Sequence, residues 1–373
     1  MRLEPLPPGS TIGIFGGGQL GRFLAMAASK LGLRTAIYSP EDDSPAFQVA
    51  TQRWQSSYGD EDAVESFAKA CDVVTFEFEN VPATALQIAA RHVSVRPAAR
   101  AAEIAQDRIL EKRFLSELGL PTASYFAIDS KDGLLAAASH LDKAGTGILK
   151  IAREGYDGKG QAHVSSEAEL LSAFLTFAAP CVLEGLVRFS MEISVIAVRS
   201  AGGEVFFYDS PENSHAAGIL RKSEVPASCS GRKQALAQEM TARIAAALDY
   251  CGVMGVEFFV MPEGSAEPLL VNEIAPRVHN SGHWTMEACA ISQFENHIRA
   301  IAGWPLGSVA RHSDAIMTNL IGEEVLDWRP IIEKDPGASL YLYGKSAIRE
   351  GRKLGHVTQI SPRQKNEDNP HPA

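Results

Sequence analysis

Two glutamates carry the most specific chemical signal in the chain. Glu257 lies in one apolar run, Gly255–Met261, and Glu273 in a second, Leu269–Ile274. Pro262, Gly264 and Pro268 punctuate the segment between them, the pattern of two strands joined by a turn. Folded symmetrically about Ser265, this hairpin sets Glu257 opposite Glu273, Phe259 opposite Val271 and Met261 opposite Leu269. Residues paired across a hairpin share a face, about 5 Å apart. Two carboxylates that close repel unless one keeps its proton or a cation lies between them. Hard oxygen ligands suit Mg²⁺, which takes one or two carboxylates and completes its shell with phosphate oxygens and water. The alternatives are a different register, or a separate surface arginine for each glutamate. Asn272 beside Glu273, then Arg277, His279, Asn280, His283 and Trp284 in a Gly- and Pro-interrupted loop, favour a site.

A second cluster is the loop Arg153–Gln161, REGYDGKGQ, after an apolar strand Gly147–Ile151 that carries Lys150. It lies between two strands and lacks the GK[ST]-helix order of a Walker A loop. Gly155, Gly158 and Gly160 let backbone amides close around phosphate oxygens, and Lys150 and Lys159 supply charge. Tyr156 and Asp157 among these glycines point to a phosphate-covering flap; the competing reading is a solvated hairpin loop.

The third cluster is the first turn. A strand at Thr11–Phe15 runs into GGGQLG, Gly16–Gly21, with Gln19 and Leu20 inside it. The following helix places Leu20, Phe23, Leu24, Ala27, Ala28 and Leu31 on one face. Gly16, Gly18 and Gly21 satisfy the dinucleotide-binding spacing, with Glu41 about twenty residues on. That acid sits in a polar loop, EDDSP, rather than at a strand end, and the glycines suit a smaller phosphorylated ligand equally well. Glu77 and Glu79 follow the strand Asp72–Phe76 at its C-terminal end, the edge where open α/β sheets bind ligands.

These clusters need elements to hold them. Strands at Thr11–Phe15, Arg34–Tyr38, Asp72–Phe76 and His92–Val95 alternate with helices, which predicts a parallel, doubly wound sheet. Ala98–Leu118 reads as one helical segment with Ile104, Leu110, Phe114 and Leu118 as apolar markers, and Pro121 opens a smaller unit. Val182–Leu186 is a strand carrying Glu184. Met191–Val198 is another, carrying Glu192, with Glu204–Tyr208 as its hairpin partner. Lys233–Cys251 and Trp284–Ile301 read as helices, and Ala315–Ile321 and Ala338–Tyr343 as strands. Gly351–His356 is a compact basic turn containing Arg352 and Lys353, and the polar tail from Ser361 reads as disordered.

At 373 residues the chain predicts two or three domains. A net charge of −10 without a Lys/Arg-rich run argues against nucleic-acid binding. The five cysteines, scattered and without CxxC spacing, read as reduced thiols of a cytoplasmic protein. No run is long and apolar enough to span a membrane.

In order, the strings GGGQLGR, GYDGKG, VLEG, NEIAPRVHNSGHW and GRKLGH resemble the ATP-grasp superfamily. Within it the chain is similar to the N5-carboxyaminoimidazole ribonucleotide synthetase family, over residues 10 to 360. The resemblance implies an α/β chain, α+β taken whole. Residues 1–100 would form a doubly wound parallel-sheet domain, 121–185 a small lid, and 101–120 with 186–361 an antiparallel-sheet ATP-grasp domain, followed by a tail, 362–373. It implies a homodimeric ligase that uses ATP and bicarbonate to carboxylate 5-aminoimidazole ribonucleotide through carboxyphosphate, with Mg²⁺ or Mn²⁺. By resemblance, Arg108 and Lys150 contact ATP phosphates, with Gly155, Gly158, Lys159 and Gly160 covering them. Glu184 and Glu192 hold adenine and ribose, and His215 and Asn272 lie on the nucleotide side. Glu257 and Glu273 hold the metal. Tyr156, Asp157, Arg277, His279 and Asn280 face the reacting groups, with Gln19, Leu20 and Glu77 or Glu79 on the ribonucleotide and Arg352 and Lys353 on its phosphate. Two departures stand out: SPENSH precedes His215 where the family more often has a Thr-His-Asn core, and Ile-Ala-Arg after Lys150 is less basic than in some relatives. Three rivals are a formate-dependent transformylase of the same superfamily, a nicotinamide-dependent dehydrogenase built on Gly16–Gly21, and a non-catalytic ATP-grasp binding protein.

Overall fold

Continuous apolar runs make buried strands, and the first of them, β1 (Thr11–Phe15), is buried at all five positions. The computed structural model describes residues 4–155 and 160–363, with the backbone alone at 142–144. β1 lies between β2 (Arg34–Ser39) and β4 (Val73–Phe76) in a four-stranded parallel sheet of order β3-β2-β1-β4. β3 (Gln52–Gln55) is an exposed edge strand, and its sequence QRWQ has no apolar alternation to betray it. The strand expected at His92–Val95 does not form; Val95 makes a single bridge to Val74.

The segment expected as one helix over Ala98–Leu118 is two, Ala99–Ala105 and Arg108–Glu117. Asp107 breaks it by accepting the amides of Ile109 and Leu110, as short polar residues do at helix starts. Four antiparallel strands follow in the order β5-β8-β6-β7: β5 (Tyr125–Ile128), β6 (Gly147–Ile151), β7 (Gln161–Val164) and β8 (Cys181–Gly185). Helices Lys131–Ala144 and Glu167–Phe177, capped by Ser130 and Ser166, share a small apolar core with this sheet.

The largest sheet is antiparallel and runs β14-β13-β9-β11-β12-β15-β17-β16, with β10 (Val205–Phe207) also on β9 (Met191–Arg199). Its other strands are β11 (Glu212–Ala216), β12 (Ile219–Val225), β13 (Gly252–Val260), β14 (Leu269–Ala275), β15 (Ser313–Ile321), β16 (Ser339–Leu342) and β17 (Lys353–Pro362). Helix Gly231–Ala247 packs with β9, β13 and β14 in one core. A second core joins this sheet to the parallel one through Phe23 of helix Gln19–Lys30 and Phe294 and Ile298 of helix Gln293–Ile301. The helix expected over Trp284–Ile301 is interrupted: Thr285–Ala288 ends, and Ser292 caps Gln293–Ile301. The basic turn at Gly351 is short, because Lys353 already opens β17. That strand continues through Ser361 and Pro362, paired with Asp314 and Ser313, so the tail begins later than its polarity suggests. Residues 364–373 lie outside the described residues. Among the described residues, no helix is long and apolar enough to cross a membrane.

Candidate active site

β13 and β14 pair with Glu257 opposite Glu273, as their spacing predicts. Beyond that pair the register slips: Phe258 faces Val271, Phe259 faces Leu270 and Val260 faces Leu269. The expected pairs Phe259–Val271 and Met261–Leu269 are therefore off by one. The cause is a β-bulge that leaves Asn272 as the extra residue. Bulges re-aim side chains, and here the Asn272 amide comes within 3.4 Å of Glu257 Oε2. The bulged carbonyl of Asn272 accepts a hydrogen bond from Lys112 Nζ at 3.0 Å.

Burial, followed by the nearby charge of Glu273, pushes the Glu257 carboxyl up to about 7. His279 Nε2 lies 3.6 Å from Glu257 Oε1. Burial, then the charges of Arg277 and Lys353, hold that imidazole well below its usual range and therefore neutral. Arg108 sits 3.6 Å from Glu273 Oε2. Among the described residues, no group of three or more His, Cys, Asp or Glu could hold a metal alone. The donor set fits Mg²⁺ bound together with phosphate, which needs only one or two carboxylates. A cation there would offset both the burial and the repulsion that raise the Glu257 carboxyl.

Lys150, on β6, donates to Glu184 Oε2 at 2.8 Å, and Lys112 lies 3.4 Å from Glu184 Oε1. Burial raises the Glu184 carboxyl, but the two ammonium groups outweigh it and hold it at about 2. The Glu184 side chain is thus a partner of lysines, which its expected place on adenine or ribose did not anticipate. Arg108 donates to the Gly155 carbonyl at 3.4 Å, and Gly160 accepts from Ile151 at 2.8 Å. Tyr156, Asp157, Gly158 and Lys159 lie outside the described residues. Glu192 pairs with His215 Nδ1. Burial lowers the His215 imidazole, but the Glu192 bond outweighs it and leaves it raised.

In the first turn, Glu77 Oε1 accepts the Gly18 amide at 2.7 Å. A Cβ on Gly16 would stand 2.6 Å from that same oxygen, and one on Gly18 would stand 2.9 Å away. Glu79 instead accepts Nε and an NH₂ group of Arg277 at 2.9 and 2.5 Å. Gln19 opens the helix, while Leu20 is buried in the core. Asn280 and Asn319 exchange reciprocal amide hydrogen bonds at 3.0 and 2.8 Å, which occupies both polar groups of Asn280. His283 and Trp284 are fully buried. Arg352 bonds the Ala347 carbonyl at 3.0 Å, whereas the charge of Lys353 bears on Glu257, His215 and His279.

Several residues at this site carry no motif. Glu111 is buried and accepts the Ile274 amide at 2.6 Å; burial pushes it up to about 7, with Lys112 opposing. Gln293 clamps the loop through both the amide and the carbonyl of His279. Lys345 donates to the Lys353 carbonyl at 2.9 Å.

Known families account for nearly the whole chain. The ATP-grasp domain matches residues 113–294, the ribonucleotide synthetase preATP-grasp domain 10–106, and the phosphoribosylaminoimidazole carboxylase C-terminal domain 315–368. An N5-carboxyaminoimidazole ribonucleotide synthase of Brucella melitensis is 51% identical over 361 residues, 96% of this chain and 98% of the relative. The chain belongs to the N5-carboxyaminoimidazole ribonucleotide synthase family. Among solved structures, the synthetase of Thermus thermophilus superposes with a TM-score of 0.85 at 43% identity, over 94% of this chain and 93% of that one. The N5-carboxyaminoimidazole synthase of Aspergillus clavatus, in complex with ADP and 5-aminoimidazole ribonucleotide, gives 0.87 at 33% identity, over 95% and 94%. The architecture is that of this family: an ATP-grasp fold with a parallel N-terminal sheet and an antiparallel C-terminal one.

Proposed function

We infer that the chain is an ATP-dependent carbon–nitrogen ligase of purine biosynthesis. It carboxylates 5-aminoimidazole ribonucleotide with bicarbonate and releases ADP and phosphate. The observation that carries this reading is the paired Glu257 and Glu273 on a bulged hairpin, with Arg108 beside them, in a chain 51% identical to a named synthase. A bicarbonate oxygen attacks the γ-phosphorus of ATP and displaces ADP, giving carboxyphosphate. The exocyclic amine of the ribonucleotide then attacks the carboxyl carbon, phosphate leaves, and the nitrogen loses a proton.

Glu257 and Glu273, with Asn272 beside them, would hold Mg²⁺ or Mn²⁺. When bound, the metal supplies charge to the phosphoryl group in transfer. Arg108 and Lys150 face the phosphates, and Glu192 with His215 forms the nucleotide side. The family resemblance assigns phosphate cover to Gly155, Gly158, Lys159 and Gly160 and the reacting groups to Tyr156 and Asp157, where water must be kept from an intermediate it destroys. Arg277, oriented by Glu79, and the neutral His279 face the carboxyl group being transferred. Lys353, with Arg352, binds the ribonucleotide phosphate. The three sheets support a division at 1–100, 121–185, and 101–120 with 186–361. The reading also makes the protein homodimeric, and cytoplasmic in keeping with its five free cysteines.

Exchanging the one-carbon donor tests the reaction against its nearest rival. With Mg·ATP and the ribonucleotide, bicarbonate should support turnover and formate should not. Turnover with formate in place of bicarbonate would overturn the reading.

A further inference from the structure

Lys112 is fully buried, a placement lysine almost never takes without a partner. It projects from the Arg108–Glu117 helix toward two sheets. On the large sheet its Nζ donates to the carbonyl of Asn272, the bulged residue between the paired glutamates, at 3.0 Å. On the small sheet it lies 3.4 Å from Glu184 Oε1. The other oxygen, Oε2, accepts from Lys150 at 2.8 Å. Glu184 Oε1 is buried without a hydrogen bond, so the Lys112 charge is what compensates it. A methionine would fill the same space with no ammonium to desolvate, so packing alone does not account for a lysine here.

We propose that Lys112 is a positioning residue that couples the two sheets across the nucleotide site. It fixes Glu184, which aims the Lys150 ammonium, and it anchors the bulge that presents Glu257 and Glu273. The proposal rests on the reading of Lys150 as a phosphate ligand and of the two glutamates as metal ligands. Without Lys112, one oxygen of Glu184 and the Asn272 carbonyl would both be left unpaired. Lys150 would then be held by a carboxylate free to turn.

The test compares Lys112→Met, Lys112→Arg, Glu184→Gln and the double variant Lys112→Met/Glu184→Gln. ADP affinity is measured by calorimetry in EDTA, where no metal contributes, and steady-state kinetics are measured with Mg·ATP. Loss of a charge-assisted contact predicts that Lys112→Met weakens ADP binding about tenfold and lowers kcat by about one to two powers of ten. KM for 5-aminoimidazole ribonucleotide should stay within about twofold, because the proposed reading places that substrate on residues of neither branch. Lys112→Arg should recover most of the ADP affinity. Adding Lys112→Met to Glu184→Gln should leave ADP affinity where Glu184→Gln alone puts it, since the path to Lys150 is already cut. If Lys112→Met does not fold, the double variant against Glu184→Gln decides the matter, because neither buried charge then lacks its partner. Wild-type ADP affinity in Lys112→Met, or independent and additive losses in the double variant, would overturn the proposal. A wild type without bicarbonate-dependent turnover would overturn the functional reading, while the ADP comparison would still judge Lys112.

Discussion

Glu257 is held in a state that a bound cation would relieve. Its carboxyl is raised by burial and by Glu273, from an ordinary 4.5 to about 7. A carboxyl raised in the folded state favours folding fully below its unfolded value, and that contribution is lost as pH rises through the folded one. The apoprotein therefore carries the full cost of ionising Glu257 above about pH 7. A unit of pKa is about 1.4 kcal/mol. Glu257→Gln should thus stabilise the apoprotein at about pH 8 by on the order of 1–2 kcal/mol. The gain should shrink as pH falls from about 7 toward 4.5, and Mg·ADP should raise the melting temperature of the variant less than that of the wild type. Urea melts at both ends of that range measure this, and a variant no more stable than wild type at the alkaline end would contradict it. The pair was legible because strand side chains alternate with a period of two, so two glutamates at mirrored positions must share a face. Lys112 was not. Arg108, Glu111, Lys112 and Leu115 follow the i, i+3, i+4, i+7 spacing of one helix face. Leu110, read as an apolar marker of the helical segment, is 38% exposed, while Glu111 and Lys112 are buried. Hydrophobic periodicity misses a buried face made of ions.

At the scale of elements, the glycine turn after β1 shows how one pattern serves two purposes. In a dinucleotide site, the amides at the helix start receive a pyrophosphate. Here the Gly18 amide is given to Glu77, and Gly16 and Gly18 are glycine because a side chain would strike that carboxylate. A phosphate brought to this turn finds the Gly18 amide already taken by a carboxyl oxygen. We expect no NAD or NADP binding by calorimetry at concentrations up to about 100 µM; saturable binding in that range would sink this assignment. Glycine spacing was legible in the sequence, but the group that fills the turn comes from Glu77, 59 residues from Gly18. The other misreadings share this character. A polar edge strand at Gln52–Gln55 buries too little to show alternation, and the bulge at Asn272 adds a residue that pattern counting cannot see. Asp107 and Ser292 broke two expected helices by capping, a local competition that an apolar stripe alone does not reveal.

Over the whole molecule, the proposed site draws on three sheets that meet at one place. The parallel sheet contributes Glu77 and Glu79, the small sheet Lys150 and Glu184, and the large sheet Glu257, Glu273 and the loop with Arg277 and His279. Helix Gln19–Lys30 locks the parallel sheet to the large one through a shared apolar core, and the Glu79–Arg277 ion pair ties the two a second time. Bringing the three sheets together gives the chain a single chemical task, the ATP-driven transfer of a carboxyl group to an amine. The most direct test supplies the purified protein with Mg·ATP, ¹³C-bicarbonate and 5-aminoimidazole ribonucleotide, and follows ADP and the labelled product together. The account predicts one ADP and one phosphate for each ¹³C-carboxylated ribonucleotide, with the label on the exocyclic nitrogen. ADP release without labelled product, or product formed without ATP, would contradict it.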